Sequence, residues 1–535
     1  MASRSSLSHL YSIRDAIDTR LSLQDLSLIL VPNMVETRSM TPARKKATRS
    51  TNATSASKRK VVKPRSTNRE STGSSGETEK GTFEYEFCGP IGTGATTVAL
   101  PIVILLLVHW SDVGRLDFSF LSETPESSTA TFLTRLQQSH VFCPGCTSVD
   151  ILLSCTLCLL GWFLFLVVLE RFLPCELVQG KPIKGNPANG TLTYRINGHL
   201  SFWITFLVLV CAWPYWDGKH GMLQFAGFPY LSYIYQYHAE LAFCTIILCF
   251  LLSVFLYLNS FRKDHDGNDK ILADGGDSGN VIYDFFIGRE LNPRIGKSNE
   301  SSFDWKVFCE LRPGLIGWMI LNISCLNQQR AELGYVSGSM LLLNVFQGLY
   351  VWDALYQERC ILTTMDVTTD GFGFMLIFGD LAWVPFTYSV QARYLVKHDP
   401  HLGLPALAAI LAFYMLGFAI FRRANSQKDA FRRDPNHPAL SHLTFLQTKR
   451  GTKLLTSGWW GMARKINYTG DYIIGLTWCL LCGFDSIVPY YYAVYFFILL
   501  IHRSIRDDHM CQNKYGEDWQ RYKELVPYRF IPGLV

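Results

Sequence analysis

Apolar stretches recur along this chain and alternate with short polar segments. Each is about 20 residues long, enough to cross a hydrocarbon core of roughly 30 Å as a helix. Eight membrane segments are predicted, at 90–110, 148–170, 198–215, 233–259, 306–326, 335–352, 372–394 and 402–421. A last apolar stretch, 472–501, is interrupted by the polar turn 483–486 and predicts two short or tilted helices, as in a re-entrant pair that lines a cavity. The pattern predicts an all-α polytopic membrane protein with about ten transmembrane helices.

Composition supports the same class. The chain has 535 residues, of which 48% are hydrophobic and 14% aromatic. That content is too apolar for a soluble protein that also carries a long polar tail. An ordinary soluble protein is therefore excluded.

The distribution of Lys and Arg predicts the topology. The N-terminal tail is basic, and the segment 422–471 holds ten Lys and Arg residues, whereas Lys219 is the only one in 216–232. Cytosolic loops of membrane proteins carry this excess of positive charge. With an even number of spans, both termini are expected in the cytosol. The C-terminal part, about 422–535, should then face the compartment that holds soluble nucleotides.

Residues 1–80 form a separate N-terminal segment. They are rich in Ser, Thr, Lys and Arg and poor in aromatic residues, which predicts a disordered basic tail. The clusters at 44–46 and 58–60 are of the kind that can bind anionic lipid, nucleic acid or an import receptor. A solvated cytosolic tail is the simpler interpretation, and no nucleic-acid partner is expected. The segment 1–33 lacks the apolar core of a signal peptide, and Met34 is an alternative start.

The 15 cysteines lie mostly within or beside apolar segments. This placement favours small packing residues in a reduced setting over a disulfide framework. Two C-x-x-C pairs, Cys143 with Cys146 and Cys155 with Cys158, suggest zinc or redox chemistry. The second pair falls inside an apolar segment, where thiolates would be far from solvent. No metal site is therefore expected.

The segment 422–471 carries the first group of candidate binding residues. Lys428 and Arg432 are four residues apart, so on a helix both can reach one phosphate. The aromatic ring of Trp460 could stack on a nucleotide base, and Asn467, Tyr468 and Asp471 could hydrogen-bond amide and ribose groups. A belt of interfacial aromatic residues with snorkelling cations is the alternative. The glycines at 89–94 do not follow a strand, and helix packing explains them better than phosphate binding.

A second group follows the last apolar segment. Arg503 and Asp507 are four residues apart and share a helix face at the edge of the bilayer. Charges on the inner edge of a membrane bundle are costly and often mark a site. Arg503 could pair with a pyrophosphate. An interfacial anchor of basic residues is the alternative.

Polar residues also occur within the middle apolar segments. Their acidic and tyrosyl members include Tyr350, Asp353, Glu358, Asp366, Asp370 and Asp380. Carboxylates at membrane depth require partners or a wet cavity. Either a polar network that joins helices or a pocket for an amphipathic lipid with one polar end would satisfy them.

Two long stretches resemble a known family, the membrane sterol reductases. One is G-N-V-I-Y-D-F-F-I-G-R-E-L-N-P-R at 279–294, and the other runs from His502 to Gly516. The family includes the sterol Δ14-, Δ7- and Δ24(28)-reductases and the lamin B receptor. The similarity covers residues 85–535, the predicted transmembrane reductase domain. The stretches 362–375, 383–394 and 449–460 look most like the fungal Δ14-reductases.

The resemblance implies a multi-pass enzyme of the endoplasmic reticulum membrane, which is continuous with the nuclear membrane. It also implies that NADPH is used to reduce the Δ14 double bond of a Δ8,14-diene sterol, with membrane lipid as surroundings. Positions that match the family's cofactor-binding residues are Lys428, Arg432, Trp460, Asn467, Tyr468, Asp471, Arg503 and Tyr515. Tyr350 and Asp507 match the positions proposed to deliver the proton.

The chemistry that this resemblance implies begins with a proton, because an isolated alkene does not accept hydride. Protonation at carbon 15 would leave a cation at carbon 14, delocalised onto the Δ8 bond, and hydride would then add to carbon 14. Asp507 is expected to relay a proton to Tyr350 or to act directly. The sequence leaves three other interpretations open: a Δ7- or Δ24(28)-reductase, a structural nuclear-envelope protein like the lamin B receptor, and a transporter. The inverted repeat that is common in transporters is not visible in the sequence.

Overall fold

The computed structural model describes residues 85–118, 143–183, 190–210, 213–217, 222–226, 231–263, 267, 269–296, 299 and 302–534. The predictions for the tail at 1–80 lie outside these residues. Within them, the chain is built from helices linked by short two-stranded hairpins. No ligand or cofactor is part of the structure.

Eighteen α-helices follow one another among the described residues. The first nine are α1 (Gly89–Val113), α2 (Val149–Phe172), α3 (Gly198–Val210), α4 (Leu231–Gln236), α5 (His238–Asn259), α6 (Val281–Ile287), α7 (Trp305–Leu311), α8 (Pro313–Leu333) and α9 (Gly338–Tyr356). The others are α10 (Met365–Thr368), α11 (Phe374–Phe378), α12 (Val384–Tyr388), α13 (Val390–Lys397), α14 (Leu404–Arg433), α15 (Trp459–Met462), α16 (Ile466–Leu480), α17 (Tyr491–Tyr515) and α18 (Glu517–Leu525). A π-helical turn, Gly379–Trp383, joins α11 to α12, and short 3-10 helices lie at Pro144–Thr147, Glu358–Thr363, Pro438–Leu440 and Val488–Tyr490.

Eight short strands pair as four antiparallel hairpins. They are β1 (Glu176–Pro182) with β2 (Thr191–Ile196), β3 (Trp213–Asp217) with β4 (Met222–Ala226), β5 (Arg294–Ile295) with β6 (Phe303–Asp304), and β7 (Phe445–Gln447) with β8 (Lys453–Leu455). Each hairpin lies between helices and forms no larger sheet with the others in the described part of the chain.

The predicted class, an all-α polytopic membrane protein, is confirmed. Within the described residues, five helices are long and apolar enough to cross a membrane: α1, α2, α5, α14 and the stretch Val488–Tyr515 that contains α17. The remaining predicted segments also contain helices, although several are shorter or interrupted. The predicted break at 483–486 separates α16 from α17, which at 25 residues is longer than the short helix expected.

Three predicted boundaries are wrong. The segment 198–215 leaves the helix at Val210, and its end enters β3. The segment 306–326 is split where Pro313 starts α8, since proline has no N–H to continue α7. The segment 402–421 continues as α14 to Arg433, so the predicted loop 422–471 begins as a helix.

Helices α14 and α16 are in close backbone contact. A Cβ on Gly470 would lie 2.6 Å from the Phe421 nitrogen and 2.7 Å from the Gly417 oxygen. Small residues at such a crossing let helix backbones touch. The crossing places the C-terminal end of α14, which carries Lys428 and Arg432, beside the start of α16.

The prediction that the cysteines are reduced is wrong for one pair. Cys143 and Cys146 form a disulfide, whereas Cys155 and Cys158 are free. The predicted topology places 143–146 on the side opposite the cytosol. An oxidising compartment on that side would account for the bond.

Candidate active site

The ten predicted site residues lie on five helices. Tyr350 is on α9, Lys428 and Arg432 on α14, Trp460 on α15, Asn467, Tyr468 and Asp471 on α16, and Arg503, Asp507 and Tyr515 on α17. The contacts described below join most of them into one region between α9, α14, α16 and α17.

The cations of α17 pair with carboxylates from the middle of the chain. Arg503 Nη2 lies 2.8 Å from Asp366 Oδ2, and the two side chains are 35% and 19% exposed. Arg506 forms two hydrogen bonds with Asp370, at 2.9 and 3.1 Å. Guanidinium–carboxylate pairs of this kind fix both position and orientation. They hold α17 against the segment 366–370.

Asp507 has a different partner from the one its spacing suggests. Its carboxylate pairs with the Lys465 ammonium, and Cys511 Sγ lies 3.9 Å from its Oδ2. Lys465 Nζ is also 5.6 Å from the centre of the Tyr468 ring. The Asp507 carboxylate is therefore tied to the start of α16, while Arg503 is tied to Asp366.

Trp460 and Lys428 form a cation–π pair. Lys428 Nζ lies 3.9 Å from the centre of the Trp460 ring, and Trp460 Nε1 donates a 2.8 Å hydrogen bond to Ala424 O. Trp460 is buried, Lys428 is half-buried, and Arg432, one turn further on α14, is exposed. Lys428 also lies within electrostatic range of Lys465 and Asp507. A cluster of cations therefore surrounds Asp507.

Two oxygen atoms in this region are buried without a hydrogen-bond partner among the described residues. They are Asn467 Oδ1 and Asp471 Oδ1. The Tyr350 hydroxyl lies beside the Asp471 carboxylate, and Arg503 is within electrostatic range of it. Buried polar atoms are usually satisfied, so these two mark a place where a polar ligand group can bind.

Aromatic rings enclose Tyr350 on its other side. The Tyr350 ring centre lies 5.4 Å from that of Trp478 and 6.3 Å from that of Trp318, and both indoles are fully buried. Trp318 in turn packs 5.3 Å from Tyr388 at a right angle. This wall excludes water from one side of the Tyr350 phenol.

Tyr515 lies at the edge of the region. Its ring stacks on Trp519 at 6.3 Å, and it belongs to a small apolar cluster that also contains Cys511. Cys511, which packs in this cluster, also contacts the Asp507 carboxylate through its Sγ.

Of the two predicted roles of Asp507, the relay of a proton to Tyr350 is not accompanied by a direct contact between these two side chains among the described residues. Asp507 meets Lys465 and Cys511, whereas Tyr350 meets Asp471. Sequence reasoning placed Asp471 with the cofactor residues and missed it as the partner of Tyr350. It also missed Lys465 and Arg506 as members of the ion-pair network.

Many polar residues in the middle of the chain form ion pairs that join helices, which was one of the two arrangements predicted for them. Besides the α17 pairs, Asp353 Oδ1 lies 3.2 Å from Arg422 Nε, and Glu358 lies 3.0 Å from Arg312. Asp366 and Asp370 are four residues apart and Arg503 and Arg506 three apart, and these spacings are the signal that could have indicated two of these pairs.

An apolar cavity of about 740 Å³ lies elsewhere, lined by residues of α2, α4, α5, α8 and α12. None of the ten predicted site residues lines it. Gly317 faces this cavity, whereas its neighbour Trp318 faces Tyr350. Helix α8 therefore separates the two regions.

Comparison with known proteins gives a consistent result. The family model described as "Ergosterol biosynthesis ERG4/ERG24 family" matches residues 81–535. The chain is 45% identical to "Delta(14)-sterol reductase erg24" of Schizosaccharomyces pombe, over 85% of this chain and 99% of that protein. It is 42% identical to "Delta(14)-sterol reductase" of Ascobolus immersus, over 84% and 99%. It is also 42% identical to "Delta(14)-sterol reductase LBR" of Gallus gallus, over 84% of this chain and 64% of that protein.

Proposed function

Because this chain belongs to the ergosterol biosynthesis ERG4/ERG24 family, we propose that it is a Δ14-sterol reductase that uses NADPH to reduce a Δ8,14-diene sterol. The observation that carries the proposal is the identity of 40–46% to four fungal proteins named as Δ14-sterol reductases. The match covers nearly all of the described membrane helices. The protein is a multi-pass membrane protein, and we place it in the endoplasmic reticulum membrane, with sterol and membrane lipid as partners.

A sterol reductase of this family uses a nicotinamide cofactor, and NADPH is the specific form proposed. The residues around Asp507 fit such a molecule. Lys428, Arg432 and Arg503 supply cations for its phosphates, and the unpaired oxygens of Asn467 and Asp471 can accept hydrogen bonds from amide or ribose groups. Trp460, Tyr468 and Tyr515 supply aromatic surface near these groups.

Tyr350 is the proposed proton donor in the reaction. Its hydroxyl would protonate carbon 15 of the sterol, while Asp471 orients that hydroxyl through its neighbouring carboxylate. The aromatic wall of Trp318 and Trp478 keeps water away from the cation that forms at carbon 14. When bound, NADPH supplies the hydride that completes the reduction at carbon 14.

Asp507 retains a proposed role in proton delivery, by a route that includes Lys465 rather than by direct contact with Tyr350. Asp507→Asn removes the negative charge that Lys465 pairs with and the group that could carry a proton. We expect kcat to fall by about 100-fold or more, with the protein still folded. Steady-state turnover in membranes, normalised to folded protein, measures this.

Asp508→Asn is the matched control for that variant. Asp508 is the next residue, but its Oδ1 accepts a 2.9 Å hydrogen bond from Trp519 and it has no contact with Lys465 among the described hydrogen bonds and ion pairs. Turnover should stay near that of the parent protein. Normal turnover in Asp507→Asn would remove Asp507 from the mechanism.

Arg432 and Lys428 are proposed to recognise the 2′-phosphate that distinguishes NADPH from NADH. Arg432→Ala, alone and with Lys428→Ala, should raise the KM for NADPH by about ten- to a hundredfold, because a charge-assisted hydrogen bond is lost. The KM for NADH should change little. Arg433→Ala is the control, since Arg433 is 75% exposed and pairs with Asp429. Equal effects on both cofactors would show that these cations do not read the 2′-phosphate.

The proposed function is tested by a reductase assay with NADPH and three sterols in parallel, carrying a Δ8,14-diene, a Δ7 bond or a Δ24(28) bond. Saturation of the Δ14 bond alone is expected. Reduction of a different bond would keep the cofactor site and overturn the substrate. Absence of activity on all three, in membranes that hold folded protein, would favour a structural role like that considered for the lamin B receptor.

A further inference from the structure

The stretch 279–294 has no role in the site described above, although it is one of the two most distinctive stretches of the chain. Its backbone packs directly against residues 371–373. Phe372 N donates a 3.0 Å hydrogen bond to Glu290 O, and Cβ atoms on Gly288, Gly371 or Gly373 would overlap the facing backbone. Gly288 also has a φ of +96°, which favours glycine. The two stretches form one closely packed unit.

Lys306 fixes the other side of this unit. Its side chain is fully buried. The ammonium donates to Asp366 O and Asp370 O, both at 2.6 Å, and lies 3.5 Å from Val367 O. These oxygens lie at and just beyond α10, where carbonyls lack partners within a helix. A buried ammonium is tolerated only where hydrogen bonds of this kind replace water.

The same two residues carry the carboxylates that hold the arginines of α17. The main chain of Asp366 and Asp370 binds Lys306, while their side chains bind Arg503 and Arg506. Lys306 lies in the first turn of α7, two residues after Asp304, which caps the helix by accepting a 3.0 Å hydrogen bond from Val307 N. The position of Arg503 therefore depends on the backbone that Lys306 fixes.

We propose that Lys306 is a positioning residue for cofactor binding. It holds the segment 366–370 in the conformation that lets Asp366 orient Arg503 toward the nucleotide phosphates. The inference rests on the proposed function to the extent that Arg503 contacts NADPH. It assigns to Lys306 a role in cofactor affinity rather than in proton transfer.

Lys306→Met tests this role, because methionine keeps much of the volume and removes the three hydrogen bonds. The dissociation constant for NADPH, measured by fluorescence titration of the full-length protein in detergent, should rise by about tenfold or more. The KM for sterol should change by less than about twofold. Lys306→Arg, which keeps a cationic donor, should recover part of the affinity.

Lys270→Met is the matched control. Lys270 is also largely buried, but its ammonium pairs with the Glu290 side chain at 2.7 Å. The melting temperature of this variant should fall, but its affinity for NADPH should not fall to a comparable extent. If both variants lost NADPH affinity equally, Lys306 would contribute only to general stability, and the proposal would be wrong.

A double variant separates the proposed route from a direct effect. If Lys306 acts through Arg503, Lys306→Met should weaken NADPH binding no further in an Arg503→Gln background. Additive losses would overturn the proposal. Because the readout is binding, it stays decisive even if the wild-type protein binds NADPH but reduces a sterol bond other than Δ14. A wild-type protein that binds no NADPH would instead refute the proposed cofactor.

Discussion

Tyr350→Phe is expected to reduce kcat by about 10²- to 10⁴-fold, the usual contribution of a positioned general acid. The substitution removes only the hydroxyl beside Asp471 and keeps the ring that packs on Trp318 and Trp478. Affinity for NADPH should stay near that of the parent protein, because the cations around Asp507 are unchanged. Single-turnover assays with saturating cofactor measure the chemical step directly.

Tyr414→Phe provides the control for this result. Tyr414 is buried, and its hydroxyl donates a 3.0 Å hydrogen bond to Phe346 O on α9. The same chemical change is made there in a helix–helix contact, so a modest loss of stability and near-normal turnover are expected. If Tyr350→Phe retained parental turnover, the proton would have to come from another group, with Asp471 as the nearest candidate.

Arg312→Met is expected to produce the largest loss of stability, about 3–5 kcal/mol in the free energy of unfolding. Arg312 Nη2 lies 3.0 Å from Glu358 Oε1, and both side chains are 1% exposed. Glu358 also accepts a 2.7 Å hydrogen bond from Gly198 N, so it ties α3 to α8 and to the 3-10 helix after α9. Without Arg312 its carboxylate would be buried without its counter-ion. Thermal or denaturant unfolding of the purified protein measures the loss.

The loss should depend on pH in a defined direction. Burial raises the pKa of Glu358 above its ordinary value, against the opposing effect of Arg312. Removing Arg312 leaves burial less opposed, so the folded variant binds a proton more readily than the unfolded chain. Its stability should therefore rise relative to the parent as the pH falls from neutral to about 5. A deficit that does not change with pH would contradict this.

An exposed ion pair provides the comparison for Arg312. Arg433 and Asp429 are 75% and 46% exposed, and pairs of this kind contribute about 0–1 kcal/mol. Arg433→Met should leave the unfolding transition nearly unchanged.

The fold was largely predictable because hydrophobic run length identifies membrane helices. The hydrophobic pattern did not predict the ends of two segments, because hydropathy alone does not distinguish helix from strand or show where a helix continues. Trp213 and its neighbours are as apolar as a helix end, so hydropathy could not indicate that they form β3. The predicted segment 402–421 also ended at the first arginines, because hydropathy falls there. Arg, Lys and Ala are nevertheless good helix formers, and α14 continues to Arg433.

The members of the candidate site were easier to predict than their pairings. The spacing of Arg503 and Asp507 correctly placed both on α17. However, Arg503 pairs with Asp366 and Asp507 pairs with Lys465, and both partners are distant in sequence. These pairings depend on how the helices pack, so a spacing rule that applies within one helix cannot predict them. The same limit applies to Tyr350 and Asp471, which meet only because α9 and α16 are neighbours.

Tyr350, which lies beside Asp471, is the proposed donor of the proton to carbon 15 of the sterol. The most direct measurement is the position of deuterium in the product when the reduction is run in D₂O with unlabelled NADPH. The account predicts a single deuterium at carbon 15, delivered by the exchanged Tyr350 hydroxyl, and loss of this product in Tyr350→Phe. Deuterium at carbon 14, or an unaltered yield of labelled product from Tyr350→Phe, would contradict it.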